Sequence, residues 1–158
     1  MSKQSRKKNQ GFSLVELVIV VVIIAIIGAI AVPRMSRGSK GAADSALVAN
    51  LAILRNAIEM YAAEHNGLYP TLADITAQLT TYTDIDGDDN ATKDATHIYG
   101  PYLRAIPKQT VGPEKGEKTF TATAGTANAG WVYAASTGVV SANTTTETDD
   151  AGTLYNTY

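Results

Sequence analysis

Gly11-Phe12-Ser13-Leu14-Val15-Glu16 opens a run that continues LVIVVVIIAIIGAIAV through Val32, and the residues before it include Lys3, Arg6, Lys7 and Lys8. From Leu17 to Val32 there are sixteen residues without a polar side chain, and Phe12 to Val32 makes twenty-one. At 1.5 Å rise per residue, twenty-one residues of helix span about 31 Å, the thickness of a bilayer core. Valine and isoleucine dominate the run. They are poor helix formers in water, but hydrocarbon forces every backbone hydrogen bond to close internally and so favours helix. Glu16 is the exception inside the run. A carboxylate at the centre of a spanning helix costs roughly 2.5–3.5 kcal/mol, less near an end, so an acid one turn past the apolar boundary calls for a partner.

Three readings of this junction compete. A cleaved secretory signal would use the small-x-small pattern Ala29-Ile30-Ala31, but its apolar region is shorter than this one and carries no acid. An uncleaved signal anchor tethering an extracytoplasmic domain explains the span and leaves Glu16 unexplained. Charge does little to orient such an anchor, because Arg34, Arg37 and Lys40 follow the span as closely as the leader's cations precede it.

The third reading uses every residue. Gly11-Phe12-Ser13-Leu14-Val15-Glu16 resembles the prepilin processing motif of type IV pilins and of type II secretion pseudopilins. The resemblance implies cleavage between Gly11 and Phe12 by a dedicated membrane peptidase, N-methylation of Phe12, and retention of the apolar helix. Glu16 is then the fifth residue of the mature chain. Pro33 is the twenty-second, where many members carry a helix-disturbing proline. Cleavage creates an α-amine that is charged near neutral pH, and in a filament Glu16 of one subunit can meet the Phe12 amine of its neighbour. Each charge alone is costly in an apolar bundle, and pairing offsets that cost while reporting register. A contact of Glu16 with its own N-terminus is the within-chain alternative.

Further along, Pro33, Gly38 and Gly41 make residues 33–41 the expected place for the helix to bend or melt. The cations there suit phospholipid headgroups. Helical periodicity then returns over 42–65: Leu47, Leu51, Leu54, Ile58 and Tyr61 step by four, three, four and three, one apolar stripe meant for a core. Asn66-Gly67 is the expected stop. Thr71 is placed to cap a short helix through about Leu79, followed by a polar segment from Thr80 to Thr96. Gly100-Pro101-Tyr102-Leu103-Arg104-Ala105-Ile106-Pro107 is similar to a stretch common in major pseudopilins. Residues 119–123, 130–134 and 138–142 read as strands, with Trp131 and Tyr133 on one face.

The fold class expected is therefore α+β and type IV pilin-like, a long N-terminal helix packed on a small C-terminal antiparallel sheet. Its parts are a removed leader (1–11), an apolar transmembrane and filament-core helix (12–33), an amphipathic second half (34–66), a short helix and loop region (67–118) and a β region (119–158).

Composition narrows the chemistry. The net charge of -2 becomes -6 once residues 1–11 are set aside, which speaks against nucleic-acid binding. No cysteine is present, so neither disulfides nor thiolate metal sites are available. Asp84, Asp86 and Asp88, with Asn90, place side-chain oxygens at every second residue and make a candidate calcium loop, although the glycine falls fourth and no EF-hand register fits. Glu147, Asp149 and Asp150 form a second acidic group. His65 and His97 bring no nucleophile elbow with them, and His65 reads as a helix-end residue favourable to the dipole. The sequons at Asn90 and Asn143 carry no inference.

The resemblance implies a structural subunit rather than an enzyme. Its partners would be further copies of itself, minor pseudopilins, the prepilin peptidase and methyltransferase, an inner-membrane assembly platform, and the membrane before assembly. Its place would be the inner membrane with a cytoplasmic N-terminus, then a periplasmic filament. Lack of cysteine, the Gly-Pro-Tyr-Leu stretch and the short β region favour a secretion pseudopilin. A type IV pilus pilin is the runner-up, and a monomeric anchored binding domain or enzyme the alternative from a different class.

Overall fold

The computed structural model describes residues 12–158, with the side chains of residues 32–37 outside the description. Helix α1 (Leu14–Glu64) is assigned without a break, including residues 33–41. The expected melting at Pro33, Gly38 and Gly41 is not seen. One proline removes one i→i−4 bond, and the bonds on either side can hold the helix. Two compact units share this helix, one up to Lys40 and one from Gly41 to Tyr158.

In the second unit α1 supplies the central pillar. Leu47, Leu51, Leu54, Ile58 and Tyr61 are all buried, so the stripe legible in the sequence is the core face. Asn66 and Gly67 adopt positive φ of 56° and 80°, and the Gly67 amide donates to the Ala62 carbonyl at 2.8 Å. This left-handed cap satisfies carbonyls that the last turn leaves open.

The chain then enters helix α2 (Ile75–Thr80) through a turn held by two local bonds. The Thr71 hydroxyl donates to the Asp74 carboxylate at 2.9 Å, and the Asp74 amide donates back to it at 3.2 Å. Ile75 and Leu79 face the core. The Thr80–Thr96 stretch, read above only as polar, contains strands β1 (Tyr82–Thr83) and β2 (Asp89–Asn90), an antiparallel pair. Tyr99 bridges the other edge of β1 at Thr83. The Gly100–Leu103 stretch ties two helices together. The Tyr102 and Leu103 amides both donate to the Leu79 carbonyl, and the Tyr102 hydroxyl donates to Glu64 at 2.6 Å. Gly100 has a φ of +67°, and a Cβ there would lie 2.8 Å from the Thr81 carbonyl oxygen, so glycine is required on both counts.

The C-terminal sheet has order β3-β4-β5, from Phe120–Thr121, Trp131–Ala134 and Val139–Ala142. Strands β4 and β5 form the expected hairpin, with Gly138 at φ 71° in its turn. Trp131 and Tyr133 share the buried face, and their polar tips donate to the carbonyls of Pro107 (3.0 Å) and Pro70 (2.9 Å). Strand β3 departs from the expectation of an all-antiparallel sheet. Only Phe120 and Thr121 pair, and they run parallel to β4. The intervening loop winds round Asn143, which is 1% exposed. Its carbonyl oxygen accepts from the Gly125 amide, and its side-chain amide donates to the carbonyls of Thr126 and Ala129, each at 2.7 Å. That side chain replaces the backbone partners a longer crossover would supply, so the chain can double back within a few residues.

Candidate functional site

The candidate processing and assembly residues that the structure describes lie at the start of α1. Phe12 and Ser13 are not helical, and the helix begins at Leu14. The Glu16 carboxylate turns back and accepts a hydrogen bond from the Ser13 amide at 2.9 Å. Ser13-Leu14-Val15-Glu16 is a Ser-x-x-Glu capping sequence, in which the carboxylate at the third helical position satisfies an orphan amide at the cap. The position also suits the positive end of the helix dipole. Sequence reading missed this role although the four-residue signature was in plain view. The Glu16 carboxylate is thus held at the helix mouth, on the amide of the residue next to Phe12.

Behind it, Leu14–Ala31 has a mean hydropathy of 3.2, and no residue of this span is buried. Phe12 is 87% exposed and Leu14 79%. By length and composition this helix is able to cross a membrane. An apolar rod with no cover from its own unit has to be covered by lipid or by other helices. Gly11 and the basic leader lie outside the described residues, and so does the Pro33 side chain, although Pro33 falls within α1.

The acidic loop behaves as a self-capped turn. One Asp84 carboxylate oxygen accepts from the amides of both Asp86 and Asp88 at 3.0 Å, and Gly87 takes a φ of +92°. Asp86 and Asp88 point outward, exposed. Among the described residues no group of three or more His, Cys, Asp or Glu side chains converges as metal ligands would, and Asp84, Asp86 and Asp88 do not form such a group. The oxygen periodicity has a local explanation, the Asx turn. Glu147 and Asp149 do similar work. Backbone amides of Thr145 and Thr146 lower the Glu147 pKa, and the Tyr158 hydroxyl with the Thr153 and Ala151 amides lowers that of Asp149.

The histidines are accounted for structurally. His65 is 1% exposed and stacks on Tyr61 with ring centroids 3.8 Å apart. Its Nδ1 meets the Tyr61 carbonyl at 2.8 Å and its Nε2 meets the Thr83 hydroxyl at 3.0 Å. The carbonyl can only accept, so Nδ1 carries the proton and Nε2 accepts from Thr83. This hydroxyl–imidazole pair is closed off, because Thr83 has no exposed surface. It joins the helix end to β1, a tighter role than the dipole contact expected from sequence. His97 contacts the Asp94 carboxylate through Nδ1 at 2.8 Å. Its backbone amide, then its ring, hold that carboxyl well below the usual range.

Residues 6–32 match the family model of the prokaryotic N-terminal methylation motif. No curated protein and no solved structure matches the chain. The motif and the apolar helix behind it make the chain type IV pilin-like, with the processing by a prepilin peptidase and the polymerisation that such a motif implies.

Proposed function

We propose that this protein is the structural subunit of a type II secretion pseudopilus. It is inserted through α1 with its leader in the cytoplasm, cut between Gly11 and Phe12, and methylated on the Phe12 nitrogen. It then polymerises through the same helix. Burial among neighbouring helices replaces burial in lipid, so the insertion segment doubles as the assembly interface.

One observation carries this reading. The junction of Phe12, the capped Glu16 and an uncovered 18-residue apolar span unites a processing signal with a surface that needs partners. Cleavage converts the Phe12 amide into a cationic amine one residue from an amide that Glu16 already serves. In a subunit array the carboxylate is positioned to exchange that capping bond for the amine of a neighbour, and a subunit out of register leaves both charges unpaired. Pro33, at the far end of the apolar segment, sits where the helix passes toward the domain.

Secretion rather than surface fibre is supported by the Gly100-Pro101-Tyr102-Leu103 stretch, by Ile106-Pro107 and by the absence of cysteine. The partners on this reading are minor pseudopilins, an inner-membrane assembly platform and the processing peptidase, with the domain on the periplasmic side. The test is the intact mass of the protein purified from membranes. A chain beginning at Phe12 and carrying one added methyl group is expected. A retained leader, or a new N-terminus after Ala31, overturns the reading.

A further inference from the structure

The 41–158 unit carries six basic residues against fourteen acidic ones, a net of -8, and the imbalance is not evenly spread. The stretch 104–118 holds Arg104, Lys108, Lys115 and Lys118 against Glu114 and Glu117, a net of +2. The rest of the unit has Arg55 and Lys93 against twelve acids, a net of -10. Arg55 is occupied with the main-chain oxygens of Val140 and Tyr158. Arg104 and Lys118, by contrast, form no ion pair or hydrogen bond through their side chains among the described residues. They lie together at one cleft of about 300 Å³, with Thr76 on its wall and Ala105 and Ile106 among its apolar lining. Two unpaired cations at one hollow, on a unit whose net charge is -8, suit carboxylates.

The complementary surface is the β1–β2 turn. Asp86, Asp88 and Asp89 are exposed, and their carboxylates have no partner among the described residues. Asp84 and Gly87 fix the turn's shape, and Ile85 adds 39% of its surface as an apolar contact. Receptor and turn occupy opposite faces of α2. Thr76 and Thr80, four residues apart, line the cleft, whereas Gln78 between them donates to the Gly87 carbonyl at 3.0 Å. Two residues along a helix are about 200° apart around its axis. The turn therefore cannot fold back into its own cleft and is presented away from it.

We propose that the Arg104–Lys118 cleft receives the Asp84–Asp89 turn of a second copy of this chain. Two different, mutually complementary patches on opposite faces make a heterologous contact, and a heterologous contact that does not close generates a helical filament. The domains would then set the order of subunits by charge while the apolar helices supply burial. This inference rests on the filament reading above.

The experiment exploits the absence of cysteine. The full-length double variant Ala105→Cys/Asp86→Cys is assembled in cells and treated with a short bis-maleimide, beside each single variant. A ladder of dimers, trimers and higher multimers from the double variant alone is expected. In parallel, Arg104→Glu/Lys118→Glu should lower polymerised mass by about tenfold or more, and adding Asp86→Lys/Asp88→Lys should restore it. Emission of the buried Trp131 reports that each variant is folded. Filaments without a ladder, a cross-link from Ala105→Cys to a different protein, or charge reversal without effect overturns the proposal and leaves the filament reading standing. A processed wild-type chain that forms no filament overturns both.

Discussion

The Glu16 carboxylate accepts the Ser13 amide at 2.9 Å, so the acid inside the apolar segment already has a partner in the isolated subunit. On the filament reading proposed above, two roles of Glu16 are superimposed, a cap for its own helix and a charge for a neighbour. Glutamine separates them. It keeps an oxygen acceptor at the third helical position, as capping sequences allow, but it offers no charge. Glu16→Gln should be cleaved and methylated normally and yet lose about tenfold or more of its filament mass, equivalent to ~1.4 kcal/mol per added subunit. Glu16→Leu should lose at least as much. Sedimented filament and intact mass, measured on the same preparations, check this, and full assembly by Glu16→Gln would reduce Glu16 to a cap.

Asn143 is a buried polar residue whose side chain closes a loop. It is 1% exposed and holds three backbone groups of the 122–130 loop through one side chain. Asn143→Ala leaves the Gly125 amide and the Thr126 and Ala129 carbonyls without their partner. A loss of about 2–4 kcal/mol is expected, since each unsatisfied buried group costs about 1–3 kcal/mol and water can reach some of them. Trp131 is the single tryptophan and is fully buried, so denaturant titration followed by its emission reads the loss directly.

Neighbouring residues of α1 should respond oppositely to truncation. Leu54 has no exposed surface, whereas Ile53 is 46% exposed. Leu54→Ala opens a cavity beneath the sheet and should cost about 2–5 kcal/mol. Ile53→Ala loses little burial and should change stability by about 0.5 kcal/mol or less. Equal effects would mean that the helix is rotated relative to its described packing.

The contrast between what the chain declares and what it conceals has physical causes. The apolar span, the 47–61 stripe, the Asn66-Gly67 stop and the β4–β5 hairpin all follow from periodicity or local turn chemistry, which a linear sequence displays. The parallel orientation of β3 does not, because the loop that turns it is held by Asn143, more than twenty residues away. The aspartates of 84–88 illustrate a pattern with two readings. Their spacing suggests ligands, yet a single carboxylate capping two amides produces the same pattern. His65 looked like a helix-end residue because nothing local announces that Thr83 will close over it. At the junction itself, the processing motif drew attention from the shorter capping signature embedded in it.

Alkaline pH should unfold the domain through its buried tyrosines. Tyr133 is 1% exposed with its hydroxyl on the Pro70 carbonyl, and Tyr155 is 4% exposed with its hydroxyl on Asp44 at 2.7 Å. Burial pushes both phenols far above their ordinary value of 10, and for Tyr155 the Asp44 carboxylate adds to the shift. The folded state therefore holds these protons more tightly than the unfolded chain does. Below pH 10 both states are protonated, and the stabilisation is fully present. As pH rises above 10 the unfolded chain releases its protons first, and stability falls until the folded phenols ionise in turn. The slope is about 1.4 kcal/mol per pH unit for each such tyrosine. Denaturation midpoints followed by Trp131 emission should hold steady to about pH 10 and then drop. Tyr133→Phe should cost about 0.5–1.5 kcal/mol at neutral pH through its lost hydrogen bond, while removing one proton's worth of the alkaline slope. A midpoint that stays level well above pH 10 would mean that these hydroxyls reach water in solution.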